Sequence, residues 1–256
     1  MVVTYETIRV QFQDSVCHLQ IDRPHANNTI TGQLVAECND ALTQCDEAAT
    51  VVVLSGSPEV FCFGADFKSV AGASESGELP YAPGTLYDLW LRLAAGPYVT
   101  ISYVRGKANA GGLGFVAASD LVLADETAQF SLSELLFGVY PACVLPFLIR
   151  RIGFQKAHYL TLTTQPVSVK QAFEWGLVDA FEAQGEPLLR SHLQRLRRLS
   201  KVAIRRYKSY VGQIGVPLQA LKSKAVAGNR EVFTDSANLD AIARYVEKGL
   251  FPWEKA

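Results

Sequence analysis

Three segments hold the residue types that could do chemistry: Phe61-Cys62-Phe63-Gly64-Ala65-Asp66-Phe67, Asn109-Ala110-Gly111-Gly112 and Ser131-Leu132-Ser133-Glu134. In the first, Gly64 lets the backbone turn sharply and leaves the Ala65 N–H free to point into a pocket. In the second, a loop leads into a helix carrying Phe115, Ala117 and Ala118, where unpaired N–H groups and a positive dipole end suit an oxyanion. Gly111 then offers a second donor. In the third, Glu134 lies among Phe130, Leu132, Leu135, Leu136, Phe137 and Val139, where desolvation raises a carboxyl pKa toward a useful value. Two donors on one carbonyl oxygen with a base beside it are what enolate chemistry on a thioester requires. Each segment also has a plain reading: an ordinary glycine turn, close packing of helix on sheet, and a solvent-facing glutamate at the start of a helix.

Something must position these segments. Residues 5–12 and 15–22 alternate apolar and polar around Gln13-Asp14-Ser15, which predicts a β-hairpin. Thr31 can cap a helix over 32–49, with Leu34, Val35, Cys38, Ala41, Leu42 and Cys45 at helical spacing. Apolar runs at 51–56, 99–104 and 121–124 read as buried parallel strands, with a further short strand at 128–131. A helix near 84–95 follows a Gly/Ser/Pro-rich stretch at 71–84. Strands alternating with helices imply crossover connections and an α/β core. After about 186 the pattern changes to helices at 188–212, 216–234 and 236–248.

The bulk numbers exclude several classes. The chain has 256 residues, 49% hydrophobic and 19% charged, so it is globular and long enough for a sizeable core. A net charge of −1 gives no electrostatic case for nucleic acid or an anionic membrane. The five cysteines, Cys17, Cys38, Cys45, Cys62 and Cys143, include no CxxC pair, which speaks against a disulfide framework or a zinc site and fits a reducing cytoplasm. No histidine pair has metal-ligand spacing, and His18, His158 and His192 read as structural or exposed. The start of the chain shows no signal-peptide pattern, and no apolar run is long enough to span a membrane.

In order and spacing the three segments resemble the crotonase (enoyl-CoA hydratase/isomerase) superfamily, across nearly the whole chain. Arg23-Pro24-x-x-x-Asn28-Thr29-Ile30 is similar to its early substrate loop, and residues 61–67 and 106–120 to its two oxyanion segments. Residues 130–141 resemble the segment carrying its second catalytic glutamate, and Ala172-x-x-x-Gly176-Leu177-Val178-Asp179 resembles its A-x-x-x-G-L-V stretch. The resemblance implies an α/β fold with a ββα spiral core over 1–186 and a C-terminal helical trimerisation region over 187–256, assembled as a homotrimer or hexamer. It implies catalytic roles for Glu134, Ala65 and Gly111, with substrate contacts at His25, Ala26, Phe63, Asp66, Tyr87 and Gly112. Tyr87 has a second reading, as part of a core helix face with Trp90 and Leu91. One departure stands out. Hydratases of the superfamily carry another glutamate three residues after the second oxyanion glycine, and here that position is Gly114. Glu134 must then act alone or with a different partner.

Residues 61–67, 96–102, 109–112 and 141–146 and the ending Tyr245-Val246-Glu247-x-Gly249-x-Phe251-Pro252-Trp253 look like the dehydratases of polyketide β-branching cassettes. That likeness implies dehydration of a 3-hydroxy-3-methylglutaryl group on an acyl carrier protein, with CoA as the alternative carrier, to the 3-methylglutaconyl group, without cofactor or metal. Decarboxylation and double-bond isomerisation would use the same oxyanion hole, and a non-catalytic thioester-binding protein would keep the fold without turnover. The two donor loops with Glu134 argue against the last. A basic run, Arg195, Arg197, Arg198, Lys201, Arg205, Arg206 and Lys208, reads either as a solvated helix face or as a surface for an acidic carrier. Cys62 and Cys143 read as small apolar fillers in site-forming segments.

Overall fold

The computed structural model describes residues 4–73 and 81–255. Half of the Gly/Ser/Pro-rich stretch at 71–84, and the very start of the chain read for a targeting signal, lie outside them. The hairpin forms as β1 (Ile8–Gln13) and β2 (Val16–Ile21). Thr31 then caps α1 (Gly32–Ala48) by accepting the Leu34 N–H at 3.2 Å, and the helix buries the apolar face expected of it.

From there the chain repeats one motif. A strand of a large sheet is followed by a corner, a short strand of a small sheet, and a helix or turn. The first pass is β3 (Val51–Ser55), β4 (Val60–Cys62) and α2 (Phe67–Ala73), followed by the connecting helix α3 (Pro83–Ala95). The second is β5 (Val99–Val104), β6 (Lys107–Asn109) and α4 (Gly112–Ala118). The third is β7 (Leu121–Asp125), β8 (Gln129–Ser131) and a 3-10 turn at Glu134–Phe137. Then come α5 (Leu145–Thr163, broken at Gly153), β9 (Val167–Ser168), α6 (Val169–Glu174) and β10 (Ala180–Glu182). The large sheet has the order β1-β2-β3-β5-β7-β10, parallel except for the hairpin, and the small one β4-β6-β8-β9. This is the expected spiral of ββα units.

The corner into the small sheet leaves no room for side chains. A Cβ on Gly106, whose φ is +60°, would lie 2.0 Å from the Glu59 carbonyl oxygen, and one on Gly56 2.4 Å from that of Phe61. The small sheet sets the site. Cys62 pairs with Ala108, and Asn109 with Ser131, all in parallel, so the loops that follow β4, β6 and β8 leave the sheet side by side. In sheets of this kind, ligands bind beyond the carboxyl ends of the strands. These are the three segments singled out from the sequence.

The C-terminal region is helical: α7 (Gly185–Leu196), α8 (Lys201–Ile214), α9 (Leu218–Thr234) and α10 (Ser236–Lys248). The single helix expected at 188–212 is two helices, because Ser200 takes extended backbone geometry and its hydroxyl accepts the Ala203 N–H at 3.2 Å, starting a new helix. Two lysines of the basic run are corrected from a solvated face to inward-turned anchors, while its arginines stay exposed. Lys201 turns inward to the Cys45 and Ala49 carbonyls at the end of α1. Lys208 is 4% exposed and donates to Asp120 at 2.6 Å, Tyr98 O at 2.9 Å and Leu93 O at 3.1 Å. No helix among the described residues is long and apolar enough to cross a membrane.

Lys208 thus holds α8 under the N-terminal ends of β5 and β7. Lys208→Met keeps the stem but leaves Asp120 and two carbonyls without their cation. We expect a loss of about 3 kcal/mol in chemical denaturation, the usual cost of removing one partner of a buried ion pair. Loss of less than about 1 kcal/mol would show that the pair contributes little.

Candidate active site

The first donor loop is held by a parallel bridge between Ile30 and Ala65. Ile30 N–H donates to Gly64 O at 2.7 Å and Asp66 N–H to Ile30 O at 3.4 Å. Successive residues of an extended segment point opposite ways, so the Ala65 N–H faces away from Ile30 and has no hydrogen-bond partner among the described residues. Gly64 makes the turn at φ +86°. The second loop turns at Ala110, which sits at φ +51° and is fixed by its N–H on Ser131 O at 3.0 Å. Gly111 follows as the residue that begins α4, and its N–H is also without a partner among the described residues.

The two loops touch. A Cβ on Gly64 would lie 2.6 Å from Ala110 Cβ and 3.0 Å from the Gly111 nitrogen, and one on Gly111 would lie 3.9 Å from the Ala65 nitrogen. A Cβ on Gly112 would lie 2.2 Å from the Cys62 carbonyl oxygen. Close packing and free donors were alternatives in the sequence. Both hold here, because only glycines let the loops come this near, and the two N–H groups are without partners among the described residues.

Glu134 is 7% exposed, and its Oε2 atom has no hydrogen-bond partner among the described residues. The solvent-facing reading therefore fails. Burial pushes its carboxyl up to about 7, while the backbone N–H groups of Ser133 and Glu134 pull weakly the other way. Tyr81 lies close enough for Glu134 and Cys143 to add to the burial that raises its phenol. The Glu134 turn is clamped from behind. Phe137 meets Phe67 of α2 edge-on at 5.0 Å, Tyr245 of α10 at 5.1 Å and Phe251 at 5.8 Å. Asn238 fills the space above Gly138, which turns at φ +76°.

The remaining site candidates separate. His25 and Phe63 are exposed and Ala26 half-buried, which leaves them open to a substrate arm. Asp66 is already engaged: its carboxylate takes Arg23 at 3.3 Å, the Thr29 hydroxyl at 3.1 Å and the Ser69 N–H at 3.3 Å. It fastens the early loop to the first donor loop. Tyr87 is corrected from the acyl pocket to the core, fully buried, with its ring 5.0 Å from Phe147 and its hydroxyl donating to Leu218 O at 2.7 Å. The basic run is not at the site. Its inward lysines place α8 at the N-terminal ends of the large-sheet strands, the edge opposite the corners that lead to Ala65, Gly111 and Glu134. All five cysteines are free and buried, and burial pushes Cys62 and Cys143 up to about 12, so neither is a poised nucleophile.

Sequence reading placed Trp90 on a core helix face, where it is buried, but missed its contact with Gly114. Its indole occupies the space in front of Gly114, where a Cβ would lie 2.2 Å from the ring. The ring stands edge-on to Phe115 at 5.9 Å and to Phe147 at 5.8 Å. A second carboxylate is therefore excluded at Gly114 by packing as well as by residue type. The available signal was the pairing of a glycine inside a helix with a tryptophan on the preceding one, but nothing in the sequence said that they meet.

The sequence model of the enoyl-CoA hydratase/isomerase family matches residues 11–256. The chain belongs to that family. It is 57% identical over 254 residues to the bacillaene synthase dehydratase PksH of Bacillus subtilis, covering 98% of each chain. The crystal structure of PksH from Bacillus subtilis, described as a polyketide biosynthesis enoyl-CoA hydratase, superposes with a TM-score of 0.94 at 56% identity, covering 97% of this chain and all of that one. The 2,3-dehydroadipyl-CoA hydratase of Escherichia coli is 32% identical over 235 residues, covering 88% of each. The crotonase fold expected from the three segments is thereby confirmed.

Two outcomes follow from this packing. Gly114→Ala forces a methyl group into the Trp90 ring and should cost about 1–3 kcal/mol in denaturant unfolding, as overpacked cores do; unchanged stability would show that the indole is free to move. The raised carboxyl of Glu134 favours the protonated native state, so its contribution is full below the ordinary glutamate range and is lost as pH rises through about 7. Glu134→Gln should therefore melt at a higher temperature than the parent above pH 7 and at about the same temperature near pH 4.5. A Tm difference independent of pH would contradict the burial of a titrating carboxyl.

Proposed function

We propose that the chain is a hydro-lyase of polyketide biosynthesis that dehydrates a 3-hydroxy-3-methylglutaryl thioester, carried on an acyl carrier protein, to the 3-methylglutaconyl thioester. The observation that carries this reading is one buried carboxylate with an unpaired oxygen atom, on the loop next to two touching loops whose Ala65 and Gly111 N–H groups have no partner among the described residues. The thioester carbonyl oxygen sits between Ala65 N–H and Gly111 N–H. Each donor stabilises the enolate as its charge develops, by roughly 3 kcal/mol. Glu134, with a carboxyl near neutrality, takes the C2 proton and returns one to the departing C3 hydroxyl, which leaves as water. With Trp90 closing off Gly114, one group does both transfers on one face of the substrate. The name of the PksH relative, a bacillaene synthase dehydratase, supports the direction of the reaction and its pathway class.

In this reading His25, Ala26 and Phe63 line the path of the pantetheine arm, and Gly112 borders the thioester. The C-terminal region from 187 serves as the trimerisation region of a homotrimer or hexamer. Its α8 offers Tyr207, Tyr210 and Ile214, each more than 60% exposed, for such a contact. Free, buried cysteines fit a cytoplasmic setting.

The test is intact-mass analysis of the loaded carrier protein after incubation with enzyme. Loss of one water is expected from the parent, with kcat/KM rising through pH about 7, and none from Glu134→Gln. Loss of carbon dioxide would make the enzyme a decarboxylase. An unchanged mass would leave an isomerase or a non-catalytic binder.

A further inference from the structure

The strands that set the site are only three residues long, and their last pair is Asn109 with Ser131. Beyond that pair the ladder has ended, yet Gly111 and Glu134 must keep a fixed separation. A side chain spans the gap. Asn109 is 6% exposed, and its amide has both ends engaged across the two segments. Its Oδ1 accepts from the Ser131 hydroxyl at 2.7 Å, and its Nδ2 donates to Ser133 Oγ at 2.9 Å. Asn109 precedes Gly111 by two residues, and Ser133 immediately precedes Glu134. With the Ala110 N–H on Ser131 O at 3.0 Å, three bonds tie the second donor loop to the base segment.

We propose that Asn109 is a positioning residue that sets the distance between the Gly111 donor and the Glu134 carboxylate through Ser133. Its amide is spent on the two serines, so it acts through them and not on the substrate. The clamp continues the strand pairing one step past the end of the backbone ladder, where the chain leaves β8 for the 3-10 turn. This inference rests on Glu134 and Gly111 acting together as described above.

The test is a double-mutant cycle of Asn109→Ala and Ser133→Ala, assayed on the carrier-bound 3-hydroxy-3-methylglutaryl thioester. Each single variant should lower kcat by about 10- to 100-fold with KM nearly unchanged, since misplacement of order 1 Å costs about that much. The double variant should be no worse than the poorer single one, because both remove the same link. A kcat within twofold of the parent for Asn109→Ala, or a double loss equal to the product of the single losses, would overturn the proposal. Failure of the parent to release water would overturn the proposed function instead. The clamp is then read separately by hydrogen exchange over residues 129–138. Exchange accelerates in both single variants if the amide holds the segment, and it stays at the parental rate if it does not.

Discussion

Backbone must meet backbone at this site, and that requirement governs the rest of the fold. Two N–H groups can serve one oxygen atom only if their loops lie within van der Waals contact, and here a single methyl group on Gly64 or Gly111 would fill the gap. The contact is made possible by parallel pairing of β4, β6 and β8, which releases three loops in step from one edge. The small sheet in turn depends on the tight corners at Gly56 and Gly106, and the large sheet supplies the buried mass on which those corners turn. Few residues touch the reacting atoms, but many are committed to bringing three loops to one place.

Around that contact the protein controls water. A carboxyl that titrates near neutrality needs a surrounding that disfavours its charge without sealing it off. Glu134 has such a surrounding in Phe137 and its aromatic neighbours behind it, and in an Oε2 atom that is buried but left without a hydrogen-bond partner among the described residues. Trp90 removes the place from which a second carboxylate would reach in. Like charges in so dry a space would repel, so a site with one carboxylate is also easier to hold in a defined state of protonation.

The donor loops and Glu134 were legible in the sequence because their chemistry rests on residue type at short range: glycines at turns and one acidic residue in an apolar run. The hairpin, α1 and the large-sheet strands were legible for a similar reason, since their periodicity is local. What could not be read depends on meetings across long stretches of chain. Tyr87 is a core residue because Leu218, far along the sequence, takes its hydroxyl. Lys208 looks like one charge in a basic run until Asp120 and two carbonyls surround it. The break between α7 and α8 turns on one serine cap, a weaker signal than the charged helical pattern running through it. Membership of the enoyl-CoA hydratase/isomerase family joins these pieces, but the Trp90–Gly114 contact had to be seen.

The turn that carries Glu134 leans on Asn238, Tyr245 and Phe251, which belong to the final stretch of the chain. The hydrogen bonds that hold the two donor loops come from residues made much earlier, from Arg23 to Ser133. Synthesis runs from the N-terminus, so these two loops can meet on the ribosome while the Glu134 turn still lacks its backing. The loops of Ala65 and Gly111 can thus be in contact before the turn that carries Glu134 is firmly seated.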